Sequence, residues 1–357
     1  MVEAAPKDMV GLSIGGQRYE GWTSVSITRG IEAMTGEFTL ALAARDGEIM
    51  ADFPFRAGVE CKVMVDDELL ISGYVDAFSP SFDDQSHHIQ LSGRDRAGDL
   101  VDCSAINVPG SWANVSLETI ANDIVGPFGV QVTAKASTAP VVKRFALQQG
   151  ESAHAAIERL ASYRALLVVS AADGNLELIS PATGAGEVKI VQGEHIKSAE
   201  ASHDVRERFS LYLVKGQASG DDQASGKAVA GQKGMATDPA ITRYRPKLII
   251  AEEQSTIDSL TTRAKWEATI ARAKGQKASV TVQGWRRSDG QLWTPNRVID
   301  LAAPWLAIEA PMLLSEVTLT LDERGRTASL GLTPPEAFTQ RAVPEDGEAG
   351  RITRKAA

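Results

Sequence analysis

The chain has 357 residues, long enough for two or three domains, and its 43% hydrophobic and 23% charged residues are ordinary for a soluble globular protein. A formal net charge of −9 argues against general DNA binding, which needs a basic face to neutralise phosphates. No run of about eighteen apolar residues occurs, which excludes a membrane-spanning helix.

An acidic surface is compatible both with simple solubility and with a wall past which DNA slides without sticking. Met1 to Val10 carries Glu3, Lys7 and Asp8 and lacks the apolar core of a secretory signal, so export by that route is not expected. The two cysteines, Cys61 and Cys103, are too few for a disulfide framework or a four-thiolate zinc site. They read as small hydrophobes, with a single disulfide between them left open.

The first hundred residues read as short strands and turns. Leu12 and Ile14 alternate with polar neighbours before Gly15-Gly16, a hairpin signal. Val25 and Ile27, then Phe38, Leu40 and Leu42, then Val63 and Val65 ahead of Asp66-Asp67, and finally Ile89 and Leu91 continue the alternation. Such a series predicts a small barrel or sandwich.

From about 105 the period changes. Leu117, Ile120, Ala121 and Ile124 fall on one helical face, with Asn114 or Ser116 as cap and Gly126-Pro127 as stop. A second helix carries Ile157, Leu160 and Ala161. It leads into an apolar strand, Leu166 to Val169, and a hairpin through Asp173-Gly174 to Leu176–Ile179. From Gly216 to Pro246 the chain is rich in Gly, Ala and Ser without periodicity, which predicts a flexible loop. Ser255 to Lys274 then reads as one helix with Ile257, Leu260, Ala264 and Ala271 on a side and Gly275 as its stop. Strands resume at Val280 and Val282, and the clearest hairpin comes last: Val317, Leu319 and Leu321, a turn at Asp322–Gly325, then Ala328, Leu330 and Leu332.

The residues that could carry chemistry form no specific pattern. His87, His88, His154, His195 and His203 show no metal-ligand spacing. His195 and His203 bracket Glu200 near Asp204, a weak hydrolytic candidate against the blander reading of solvated residues at a domain junction. Gly220 to Lys227 misses the phosphate-loop spacing, and Asp221 and Asp222 would repel a phosphate. The pairs Asp66-Asp67 and Asp83-Asp84 would suit a glycosidase, but adjacent aspartates in such contexts are mostly turn formers. No G-x-S-x-G elbow occurs. No catalytic, metal-binding or cofactor-binding residue is therefore assigned, and no enzymatic role is expected. Four of the six tryptophans, Trp266, Trp285, Trp293 and Trp305, crowd the last third of the chain. Trp22, Trp285 and Trp293 are the candidates for interface anchors or for core packing.

Several motifs in order resemble one family. Gly21-Trp22, Ser26-Ile27-Thr28-Arg29 and Gly36-Glu37-Phe38-Thr39-Leu40 are similar to the opening of Mu-type phage tail protein gpP, a baseplate hub. The run from Gly93-Arg94-Asp95-Arg96 to Asp102-Cys103-Ser104 resembles the end of its first barrel. Gly150-Glu151-Ser152, Ile157-Glu158-Arg159-Leu160, Asp173-Gly174-Asn175-Leu176, Tyr212 to Gln217 and Arg243-Tyr244-Arg245-Pro246 continue the likeness. Gly284-Trp285, Leu292 to Asn296 and Leu313 to Val317 complete it, so that it spans about residues 10 to 340.

The resemblance implies an α+β, mainly β chain: a first barrel-like β domain at 1–104, an α/β domain at 105–205, a second barrel-like domain at 206–344 containing the long helix and the 216–246 loop, and a tail at 345–357. It also implies a hub similar to that of the T4 baseplate and to the N-terminal part of type VI secretion spike proteins. Such hubs are homotrimers whose six barrels join a sixfold tail tube or its initiator to a threefold central spike and surround the DNA channel. Other baseplate proteins and the tape measure protein are further expected partners, without sequence-specific nucleic-acid binding. The expected setting is the virion tail, assembled in the host cytoplasm. The alternatives are a tail-associated peptidoglycan hydrolase and the hub part of a type VI secretion-like spike.

Overall fold

The computed structural model describes residues 8–44, 55–84, 86–217, 232–254, 257–343 and 345. The first β module contains β1 (Val10–Ile14), β2 (Gln17–Tyr19), β3 (Ser24–Gly30), β4 (Glu37–Ala44), β5 (Glu60–Val65), β6 (Glu68–Phe82) and β7 (His87–Asp95). The turn from β1 to β2 needs left-handed backbone at both central residues, and Gly15 (φ 59°) and Gly16 (φ 83°) supply it without a Cβ penalty. Inward residues at every second position, such as Val25 and Ile27, Phe38 and Leu40, and Ile89 and Leu91, are buried. That is the pattern the alternation predicts.

The segment that follows contains α1 (Ala97–Asp102), β8 (Ser111–Trp112), α2 (Leu117–Val125), β9 (Val132–Ala134), β10 (Phe145–Ala146), α3 (Ala153–Ser162), β11 (Leu167–Ser170) and β12 (Leu176–Ile179). Ser116 caps α2 by accepting from Thr119 N, and Ser152 caps α3 by accepting from Ala155 N. The apolar faces of both helices meet Leu176 and Leu178 in a core of their own.

The rest of the chain carries β13 (Val188–Val191), β14 (Ile196–His203), β15 (Leu211–Gln217), β16 (Lys233–Thr237), β17 (Pro246–Gln254), α4 (Ile257–Lys274), β18 (Gln276–Gln283), β19 (Arg297–Ala303), β20 (Ile308–Asp322) and β21 (Gly325–Thr333). The stretch expected to be one loop from 216 to 246 contains β16, which pairs with β15. Residues 218–231 of it lie outside the described residues. The long helix ends before Gly275 as expected, and Leu260 and Ala264 pack beneath β15, but Ile257 is exposed. Residues 188–203, read from sequence as part of the α/β stretch, pair instead with β19 and β18.

The protein is mainly β. One 13-stranded sheet runs β14-β18-β21-β20-β3-β4-β7-β6-β5-β1-β2, with β13 and β19 branching from β20. The path holds the same strand order twice. In the first module it reads β3-β4-β7-β6-β5-β1, and in the second β14-β18-β21-β20-β19-β13. The chain visits the six matched positions in the same sequence both times. Both long strands also carry a bulge, at Asp76 against β7 and at Ser315 against β21. One strand breaks the match: β1 is antiparallel to β5, whereas β13 is parallel to β19. Neither six-strand set pairs its first strand with its last, so no closed barrel forms among the described residues, where barrel-like modules were expected. The sheets are open and present edges.

Candidate assembly interfaces

The joint between the modules is an antiparallel ladder of β3 on β20, running from Gly30 opposite Glu316 to Val25 opposite Leu321. Ile31 N donates to Ser315 O at 2.9 Å, which fixes the hydrogen-bonding phase of the pair. The hydroxyls of Thr28 and Thr318 meet across it at 3.0 Å. Beneath the ladder the two modules share one apolar core, in which Val25 and Ile27 pack with Val317 and Leu319.

A second tie crosses the modules. The Arg286 guanidinium donates to Asp8 (2.7 Å), Asp66 (3.3 Å) and Glu68 (2.5 Å). Asp66 is partly buried, which works against its charge, yet the N–H groups of Met9 and Asp8 and the Arg286 guanidinium hold its carboxyl below the usual range. The α/β segment is locked to the first module through Asp95, which accepts from Gly36 N (2.6 Å), Ala97 N (3.0 Å) and Ser170 Oγ (2.5 Å). Burial pushes the Asp95 carboxyl up against these bonds and against the charge of Arg29.

Several of the residues screened for chemistry have structural partners, while Asp221 and Asp222 lie outside the described residues. Asp83 accepts from Ser86 N and Oγ, a turn contact. His203 meets Leu306 O at 2.8 Å, Asp204 is paired with Arg206, and His195 Nδ1 accepts from Val191 N, so these groups do not converge. Among the described residues no group of three or more His, Cys, Asp and Glu is placed to hold a metal ion. Cys61 is buried and Cys103 exposed, and both are free thiols, which removes the disulfide left open above.

The three tryptophans named as interface candidates lie in the core. Trp285 is fully buried, and Trp22 and Trp293 are 7% and 6% exposed. Trp285 Nε1 donates to Thr320 O and Thr327 O at 3.0 and 3.1 Å, fastening the last hairpin. The indole N–H groups of Trp22 and Trp293 are buried without an acceptor among the described residues. Side chains so enclosed leave almost no area for a partner, so the packing role is the one their surroundings support. The tryptophan that does face outward is Trp305, 88% exposed on a short helical turn at Pro304–Leu306. Composition gives no sign of this, because burial depends on the hairpin tip that carries it.

Among the described residues the large sheet has several open edges, and two of them are related. There β14 pairs only with β18. β6 pairs with β7 along its length, but β5 covers it only up to Tyr74, which leaves 76–82 uncovered on that side among the described residues. Phe82, at the end of this edge, is 80% exposed.

The comparisons with known proteins agree with this picture. Residues 9–95 match the family model for the Mu phage baseplate assembly protein GpP-like N-terminal domain, and 97–180 match the second domain of baseplate hub protein gp44-like proteins. Residues 256–341 match the fourth domain of Mu phage baseplate assembly protein GpP. The baseplate hub protein gp44 of Escherichia phage Mu is 34% identical over 338 residues, covering 92% of this chain and 88% of that protein. The crystal structure of the prophage MuSo2 tail protein from Shewanella oneidensis superposes with a TM-score of 0.82 at 32% identity, over 93% of this chain and all of that one. A type VI secretion system component of E. coli, described as similar to T4 tail proteins gp27 and gp5, shares the fold at 10% identity and a TM-score of 0.57, over 95% of this chain and 80% of that one. By sequence over nearly its whole length and by fold, this chain belongs to the Mu-type phage baseplate hub family.

Proposed function

We propose that the chain is the structural hub of a contractile phage tail baseplate, working as a homotrimeric symmetry adaptor without a catalytic step. The observation that carries this reading is the doubled strand order: one chain presents two β modules of matching topology side by side. Three chains then offer six similar modules to a sixfold tail tube or tube-initiator protein. The parts present once per chain, the α/β segment and the β15–β17 insertion with α4, offer three equivalent surfaces to a threefold central spike. The domain division that goes with this reading is a first module to about residue 95, an α/β segment to about 180 and a second module beyond it. Other baseplate proteins and the tape measure protein are the remaining partners, with the ring enclosing the DNA channel of the virion after assembly in the host cytoplasm. The fold shared with the E. coli secretion component supports a second setting, the hub part of a type VI-like spike.

Light scattering and electron microscopy of the protein, alone and with its tail-tube and spike proteins, test the reading. A three-chain ring with a central pore is expected. A ring of another copy number, or a chain that joins neither partner, overturns it.

A further inference from the structure

We infer that the two open edges are complementary, and that β14 of one chain pairs with the 76–82 half of β6 in a second copy, in the register of the β3–β20 joint. The inference rests on the trimeric hub reading and specifies its interface.

The argument is internal to the fold. The bulges align the long strands, so that Asp76 takes the place of Ser315 and, on the partner strands, Gly93 takes the place of Leu332. Leu332 lies opposite Ala278, which lies opposite Ala201, while Gly93 lies opposite Phe38, which lies opposite Ile27. Ala201 of β14 therefore stands where Ile27 of β3 stands. Ile27 pairs with Leu319, four residues past the bulge, and four residues past Asp76 is Pro80. The joint that closes β3 on β20 inside one chain thus has both of its halves repeated, unpaired among the described residues, on two further edges of the same sheet.

The hydrogen-bonding phase agrees on both edges. Asp83 N donates to Ser86 O at 2.9 Å, so 77, 79, 81 and 83 bond to β7 and the backbone of 78, 80 and 82 points away. Asp204 N donates to Gly275 O at 2.7 Å, so 198, 200, 202 and 204 bond to β18 and 199, 201 and 203 point away. The resulting ladder sets His203 against Phe78, Ala201 against Pro80 and Ala199 against Phe82. Side-chain sizes are complementary, with Ala201 and Ala199 meeting Pro80 and Phe82 where the intrachain joint has Ile27 and Val25 against Leu319 and Leu321. Ser202 falls opposite Ser79, in the place of the Thr28–Thr318 hydroxyl contact. Pro80 offers a carbonyl but no N–H to this edge, which removes one bond and discourages other strands from adding there. Because the two edges differ, the contact is head to tail, and such contacts close into rings when the rotation permits.

Cysteine cross-linking tests the register. Ser79 and Ser202 would form a non-hydrogen-bonded pair, with Cα atoms about 4.5 Å apart and within disulfide reach. Both are exposed, so their replacement leaves the fold intact. In a Cys103→Ser background, the S79C/S202C double variant is expected to oxidise to a covalent three-chain species. S79C or S202C alone should give none, and mixing the two single variants should give two-chain species only. A three-chain particle in light scattering without the cross-link overturns the pairing and leaves the hub reading standing. Cross-links within a single variant, or a chain that stays single at every concentration, also overturn the pairing.

Discussion

The two β modules follow one strand plan, yet they fill it with different side chains. At one crossing the first module sets Phe38 against Gly93, and the second sets Ala278 against Leu332, so that large and small exchange places across the strands. At another, Cys61 faces Gly73 in the first, while Ile299 faces Met312 in the second, so that both residues are larger in the second module. Core packing is a constraint on summed volume and shape, and a fold can persist through such exchanges if the partners change together.

The sharpest way to break this comparison is at Gly93. A Cβ there would collide with the Tyr74 carbonyl and the Phe38 ring, so Gly93→Ala is expected to cost at least about 3 kcal/mol of stability. At the matching position Leu332→Ala empties a buried site and should cost about 2–5 kcal/mol by the opposite mechanism, a cavity. Denaturant melts of both variants, with crystal structures to tell overpacking from void, check this. Equal tolerance of alanine at both positions would show that the crossings are not packed as described.

Indole replacement comes next. Trp285→Phe removes the donor to Thr320 O and Thr327 O, whereas Trp293→Phe removes an N–H that has no acceptor among the described residues. The first is expected to be the more destabilising by about 1 kcal/mol, read as a lower denaturation midpoint.

The joint between the modules should respond to a similar or smaller degree. Arg286→Ala strips three carboxylates of their partner, and with Asp8 and Asp66 partly buried and Glu68 open to solvent, about 1 kcal/mol is expected. The pH dependence has a definite sign. The Asp66 carboxyl is held below its ordinary value of about 4, so its stabilisation is present above that value and is lost as the pH falls through the lower folded-state value. Acid melts of the native protein should therefore fall more steeply than those of Arg286→Ala, and parallel curves would remove the guanidinium from this role.

The smallest effect is chemical. Burial, with the nearby Asp76 and Glu60 carboxylates adding to it, pushes the Cys61 thiol up to about 12. Iodoacetamide at pH 8 should label the exposed Cys103 alone, and both thiols only after unfolding, as mass spectrometry would read. Labelling of Cys61 in the native protein would mean that its strand opens.

Much of the architecture was legible in the order of residues. Alternation located the central strands, apolar periodicity located α2 and α3, and Gly15-Gly16 and Asp322–Gly325 located their hairpins. All these signals are local, acting within a few residues through backbone conformation and side-chain periodicity. The order of motifs along the chain also sufficed to identify the family. What escaped was non-local. β14 looked like a polar junction because it is an edge strand, exposed along most of its length, and burial patterns vanish where nothing covers a face. Trp22 and Trp293 gave no sequence signal for core against interface, since a tryptophan suits both.

The sequence by itself determined many of the central strands and the main helices, the family and the lack of a recognisable catalytic motif. Only the tertiary structure decided that two modules share a strand order, that β3 closes on β20 and that matching edges stay open. The physical reason is that strand pairing is set by contacts hundreds of residues apart, such as Thr28 with Thr318, and a single sequence carries no record of which edges meet.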